Sequence, residues 1–331
     1  MNLEDIAKKM CATGKGILAT DESTGTMDKR LKSVGVESSE ANRLNFRETL
    51  FSSNAMKNYI GGVILFDETI RQKTSTGISI PELLEKNNSV VGIKVDKGAK
   101  QLAGSPKETV TEGLDGLRER LKEYYELGAK FTKWRAVYHI GDNYPSSQSI
   151  KSNAHALARY AALVQEAKMV PIVEPEVLMN GDHSAENCLT KTSEVIQKCF
   201  EELIVHKIDL TGIILKPNMI LAGIKSQNKI SKEEVASKTL ECLKKSVPNE
   251  VPGIAFLSGG QSEIEATKNL NLINKNNNTN FIMTYSFGRA LQQSALKFWS
   301  KNIKDLKGTQ SVFNHRAEMC TLAAQGKWSS N

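Results

Sequence analysis

At 331 residues the chain is ordinary for one α/β barrel, and with 40% hydrophobic and 24% charged residues it excludes a disordered or fibrous protein. The formal charge of +7 would suit nucleic acid, a membrane surface or a phosphorylated small substrate, but no Lys/Arg run reaches the length of a basic tail and only 6% of residues are aromatic. Nucleic-acid binding is therefore not expected, and no segment approaches the roughly 20 apolar residues of a membrane helix.

Residues 1–10 mix acids with lysines and lack an apolar h-region, so no signal peptide is expected. From there one pattern repeats eight times: a short apolar, β-branched run ends in polar or charged residues, and a helical stretch follows. The runs are residues 16–20, 61–66, 90–95, 131–138, 170–174, 212–216, 253–258 and 281–286. Near-continuous apolar strands fit a parallel sheet buried on both faces. Helical spacing is clearest at 154–167, 193–205 and 232–243, and the Asn-rich 274–280 reads as a short loop. Eight alternating units predict a closed (β/α)8 TIM barrel, with residues 1–331 as a single domain.

Active sites of this fold sit at the C-terminal mouth of the barrel. The first four strands deliver Asp21, Glu22 and Ser23; Asp67 and Glu68; Lys94 and Asp96; Lys133 and Arg135. The last four deliver Glu174 and Glu176; Lys216; Ser258, Gly259 and Gly260; then Ser286, Gly288 and Arg289. Strand side chains alternate faces, so Lys133 and Arg135 share a face, as do Glu174 and Glu176. Burying such charges costs several kcal/mol each unless they pair or do chemistry.

Lys216 follows Ile213-Ile214-Leu215 and precedes Pro217. It is either a lysine paired with a carboxylate such as Glu174 or a nucleophilic amine. At its ordinary pKa of ~10.4 a lysine is almost wholly protonated at neutral pH. Poor solvation and a second ammonium, for which Lys133 is the candidate, would lower it toward ~7–8. Ser258-Gly259-Gly260 and Ser286-Phe287-Gly288-Arg289 lie where such barrels often hold a phosphate. Glycine lets backbone N–H groups approach an anion, and an arginine can grip it by two hydrogen bonds. Ser23, Thr24, Thr26, Lys29 and Arg30, with Lys94, form a hydroxyl-and-cation cluster suited to a second phosphate. The five histidines form neither HxxH nor HExxH, so no metal or other cofactor is expected. Five cysteines without a CxxC suit reduced thiols in a reducing compartment, consistent with a cytoplasmic protein.

These segments resemble class I fructose-bisphosphate aldolase. The resemblance is carried by GKGILATDESTGT from Gly14, IGGVILFDET from Ile60, VVGIKVDKG from Val90 and FTKWRAVYHIG from Phe131. It continues with VPIVEPEVL from Val170, GIILKPNM from Gly212, FLSGGQSEIEA from Phe256 and YSFGRALQQSALKFW from Tyr285. It implies reversible cleavage of fructose 1,6-bisphosphate to dihydroxyacetone phosphate and glyceraldehyde 3-phosphate, in glycolysis and gluconeogenesis. In that reading Lys216 forms the Schiff base, Glu174 is its acid/base and Lys133 stabilises charge nearby. Asp21 handles the hydroxyl whose alkoxide expels the aldehyde, and Glu176 orients Lys216 or Lys133. Ser258, Gly259, Gly260, Ser286, Gly288 and Arg289 bind one phosphate. Ser23, Thr26 and Lys94 bind the other end, with Arg30, Arg43 and Arg135 assisting.

The resemblance also implies a homotetramer; a basic surface would suit acidic filament or scaffold partners as well. Thr26 stands where the family often has Ser, and Phe287 where it often has Tyr. The family usually carries a longer tail ending in Tyr, which assists proton transfer at the enamine carbon; this sequence stops at Asn331. The expectation is slow proton exchange into dihydroxyacetone phosphate relative to cleavage, unless the natural protein continues further.

Overall fold

The structure is a computed structural model that describes residues 1–329. The last two residues, on which the expectation about the tail partly falls, lie outside the described residues. The strands, in chain order, are β1 (Gly16–Ala19), β2 (Ile60–Leu65), β3 (Val90–Lys94), β4 (Ala99–Leu102) and β5 (Ser105–Thr111). They continue with β6 (Phe131–Tyr138), β7 (Val170–Val177), β8 (Ile214–Leu215), β9 (Ile254–Phe256) and β10 (Met283–Phe287). Eight of them close a parallel barrel in the order β1-β10-β9-β8-β7-β6-β3-β2, while β4 and β5 form a separate antiparallel hairpin beside the mouth. The (β/α)8 expectation holds.

Two strand boundaries move in ways that bear on the site. The run expected at 212–216 contracts to Ile214–Leu215, preceded by a 3-10 turn at Leu210–Gly212. Lys216 N–H still donates to Val173 O at 2.8 Å, but Pro217 has no N–H and the ladder to β7 stops there. Strand β7 runs on to Val177, so Glu174 and Glu176 both lie inside it. The helices after β6, β7, β8 and β9 each open on a serine (Ser146, Ser184, Ser231, Ser262) whose side chain accepts an N–H of the first turn. Each cap is worth about 1 kcal/mol. The helix after β10, Arg289–Trp299, instead has Gly288 as its N-cap and no side-chain cap bond.

The core has two layers. Outward-facing strand residues such as Leu18, Val91, Ile93, Trp134 and Val173 pack against the helices. Inside the barrel a smaller cluster holds Ile17, Ile64, Val90, Phe131, Val170, Ile172, Ile214 and Ala255. It is closed from below by Ile6, Ala7, Met10 and Cys11 of the N-terminal helix Leu3–Met10 and its cap, so the first residues plug the barrel's base. Burying each large apolar side chain contributes about 1.5–3 kcal/mol. The plug needs glycine opposite it: a Cβ on Gly61 would stand 2.4 Å from the Met10 carbonyl oxygen, and one on Gly253 2.6 Å from Cys11 Sγ. Among the described residues no helix is long and apolar enough to cross a membrane.

Candidate active site

The barrel's inward face changes character along each strand. In β1 it reads Ile17, Ala19 and then Asp21; in β3 Val90, Gly92, Lys94; in β6 Phe131, Lys133, Arg135. In β7 it reads Val170, Ile172, Glu174, Glu176, and in β8 Ile214, then Lys216. With a side-chain period of two, the apolar positions fill the base and the ionic ones converge at the C-terminal mouth. There they line a cavity of about 290 Å³.

Six charges form one network. Lys133 Nζ lies 2.7 Å from Asp21 Oδ2, 3.5 Å from Glu174 Oε2 and 3.9 Å from Asp96 Oδ2. Lys216 Nζ lies 3.1 Å from Glu174 Oε1, and Lys94 Nζ 3.5 Å from Asp96 Oδ1. Three ammoniums thus face three carboxylates, and Glu174 offers one oxygen to each of two lysines. Lys216 and Lys133 are only 4% exposed and Glu174 3%, so water screens these pairs little. Burial alone would push the Asp21 carboxyl up; the ammoniums of Lys133, Lys216 and Lys94 outweigh it and hold Asp21 well below the usual carboxylate range. Burial alone would lower Lys133, but Asp21, Glu174 and Asp96 raise it well above the usual lysine range, so it stays a cation. Arg135 is likewise held charged, burial being outweighed by Glu176 and Glu174.

Two groups of residues complete the cavity. In one, Ser258, Gly259, Ser286, Gly288 and Arg289 line the wall. Ser286 Oγ is buried with no hydrogen-bond partner among the described residues, and Arg289 is exposed. A Cβ on Gly259 would lie 2.8 Å from Glu176 Oε1, so glycine lets this turn close onto the β7 carboxylate. Elsewhere on the wall, Ser23 Oγ and Thr26 Oγ1 are 3.1 Å apart, and Lys94 lines the same cavity.

Three sequence-derived candidates lie outside the lining. Arg30 is ion-paired with Glu22, and Arg43 forms a bidentate pair with Glu68 at 2.9 and 2.6 Å. Gly260 faces away, its φ of +77° and the closeness of Met179 accounting for glycine there. Glu176, expected beside Lys216 or Lys133, is paired instead with Arg135.

Other contributors carry no role in the sequence reading. Asp96 bridges Lys94 and Lys133 and accepts from Gly98 N at 3.1 Å. Its signal was its place two residues after Lys94, on the same strand face. Arg47 donates to the Glu22 carbonyl oxygen at 2.9 Å and to Thr69 Oγ1 at 2.7 Å, and Gln292 Nε2 donates to Ala19 O at 2.6 Å. Together they clamp the backbone on both sides of Asp21. The four-residue spacing from Arg43, which puts both arginines on one helix face, was the available signal.

Fold and site together define a β/α-barrel enzyme with a buried lysine–carboxylate centre. A family model described as fructose-bisphosphate aldolase class-I, glycolytic, matches residues 2–331. The chain is 50% identical over 327 residues to a probable fructose-bisphosphate aldolase class 1 of Xanthomonas campestris pv. campestris, covering 98% of each. It is 48% identical to fructose-bisphosphate aldolase 4, cytosolic, of Arabidopsis thaliana, over 95% of this chain and 80% of the relative. Its fold matches that of fructose-bisphosphate aldolase from Plasmodium falciparum, solved with TRAP and a small-molecule inhibitor. That match has a TM-score of 0.98 and 42% identity, covering 99% of this chain and 95% of the other. The chain therefore belongs to the class I fructose-bisphosphate aldolase family, and it is a lyase.

Proposed function

We propose that the protein cleaves fructose 1,6-bisphosphate reversibly through a Schiff base on Lys216. The observation that carries this is the Lys216 amine, buried at the end of an apolar strand and 3.1 Å from Glu174. The neutral amine adds to the C2 carbonyl. Glu174 protonates the resulting hydroxyl, which leaves as water, and an iminium forms. Asp21 takes the C4 hydroxyl proton; the C4–O electrons become the aldehyde carbonyl, and the C3–C4 bonding pair flows into the iminium. Glyceraldehyde 3-phosphate departs, leaving an enamine. Protonation at C3 and hydrolysis release dihydroxyacetone phosphate and the free lysine.

A carboxylate held as low as Asp21 is a weak base. Proton transfer therefore needs the Lys133 ammonium to turn from Asp21 toward the substrate's oxygens, which returns basicity to Asp21. Arg289, Ser286 and the Ser258-Gly259 turn hold one phosphate; Ser23, Thr26 and Lys94 hold the other. Arg135, fixed by Glu176, guards the rim. The enzyme works as a single barrel domain in a cytoplasmic homotetramer, in glycolysis and gluconeogenesis. The resemblance supports the assembly, which light scattering would test.

Two phosphate clusters on the cavity wall favour a bisphosphate. The test is kcat/KM for fructose 1,6-bisphosphate against fructose 1-phosphate. A clear preference for the bisphosphate is expected; equal efficiencies would remove the second phosphate site.

A further inference from the structure

Away from the mouth, two helices of the outer layer bring three metal-ligating side chains together. His155 lies midway along the helix Ser147–Glu166. Glu202 lies in the last turn of the helix Ala185–Val205, and His206 is its C-cap. A spacing of four puts Glu202 and His206 on one face, and the two helices pack side by side, so His155 meets that face from its neighbour. His155 Nδ1 is 3.3 Å from Glu202 Oε2, His206 Nδ1 is 3.9 Å from the same oxygen, and the rings meet edge-on with centroids 5.0 Å apart.

We propose that His155, Glu202 and His206 form a binding site for a divalent transition metal of the zinc type, separate from the catalytic mouth. Two imidazoles and a carboxylate are a donor set zinc accepts, with water completing four-coordination. Each residue offers a ligand atom within 4.8 Å of the others. Donors ~2.1 Å from a tetrahedral zinc sit roughly 3.4 Å apart, so no separation need close by more than about 1.4 Å. Rotation of surface side chains supplies that much. His206 Nδ1 is 2.8 Å from the Glu202 carbonyl oxygen, which only accepts, so the proton sits on Nδ1 and Nε2 is free to ligate. With the His155 side chain 53% exposed and those of Glu202 and His206 20% and 21%, an ion and its water can enter. Among the described residues Lys198 is the one Lys or Arg ion-paired with Glu202, 3.9 Å from its Oε1, and it is bonded to Glu201 at 2.8 Å. None of the three ligands lines the mouth, so the metal would staple the helices that follow β6 and β7 without entering the reaction.

The test is isothermal titration of EDTA-washed native enzyme with zinc chloride, paired with the visible spectrum of the cobalt form. Expected are one zinc per chain with a micromolar Kd and a cobalt spectrum free of thiolate charge transfer. His155→Ala and His206→Ala should each weaken binding roughly tenfold or more, because loss of even a supporting partner commonly costs that much. Their cleavage activity should be unchanged, and His315→Ala, an exposed histidine elsewhere, should bind as wild type. Millimolar or weaker affinity, a thiolate band, or a stoichiometric site that survives in the double variant would overturn the proposal.

Discussion

Replacing Lys133 by Met removes the ammonium at the centre of the charge network and leaves its carboxylates in place. At an effective dielectric constant of about 20, the contact to Asp21 at 2.7 Å attracts by roughly 6 kcal/mol, and those to Glu174 and Asp96 at 3.5 and 3.9 Å by roughly 4–5 kcal/mol each. Desolvation of the buried groups offsets most of that, so the net loss expected is about 3–5 kcal/mol of stability. The sign with pH follows from Asp21. Its folded pKa is depressed, so it contributes stability above its unfolded value that is lost as pH falls through the folded value. Without Lys133, burial is opposed only by Lys216 and Lys94, and the Asp21 pKa rises. The acid limb of both stability and cleavage should therefore move to higher pH. Urea denaturation and single-turnover cleavage across pH 4–8 read both quantities. A variant within about 1 kcal/mol of wild type, with an unmoved acid limb, would show that the three contacts do not couple as the geometry implies.

Arg289→Ala should weaken binding of fructose 1,6-bisphosphate by about 1.5–3 kcal/mol, roughly 10- to 150-fold, with the fold intact by circular dichroism; an unchanged affinity would remove Arg289 from the phosphate site. Arg47→Met should lower kcat by up to about 100-fold while KM moves little, because the Asp21 segment loses its clamp, and a normal kcat would show that Gln292 alone suffices. Gly61→Ala should cost about 1–3 kcal/mol by pressing a methyl against the Met10 carbonyl, so a variant as stable as wild type would mean the N-terminal plug yields freely.

The barrel and the ionic mouth were legible because charges stand out inside apolar, β-branched runs. Lys216 after Ile213-Ile214-Leu215 is the plainest case. The base plug was not legible, since the helix Leu3–Met10 has the polar-and-apolar alternation of any surface helix and nothing local says that its apolar side closes a barrel. The hairpin of β4 and β5 was hidden by its polar strands, AKQL and SPKETVT. Arg30 and Arg43 matched the family's pattern, yet their carboxylate partners, Glu22 and Glu68, become visible only when separate segments meet in space. Asp96 was placed at the mouth by its strand but given no role; its side chain is only 3% exposed, because two lysines and a backbone N–H surround it.

Lys216 is the residue proposed to carry the covalent intermediate. Reduction with sodium borohydride in the presence of dihydroxyacetone phosphate, followed by peptide mass mapping, tests it directly. One adduct per chain is expected, located on Lys216, and none in Lys216→Ala despite a native fold. An adduct mapped to Lys133 or Lys94, or one that persists in Lys216→Ala, would contradict that assignment.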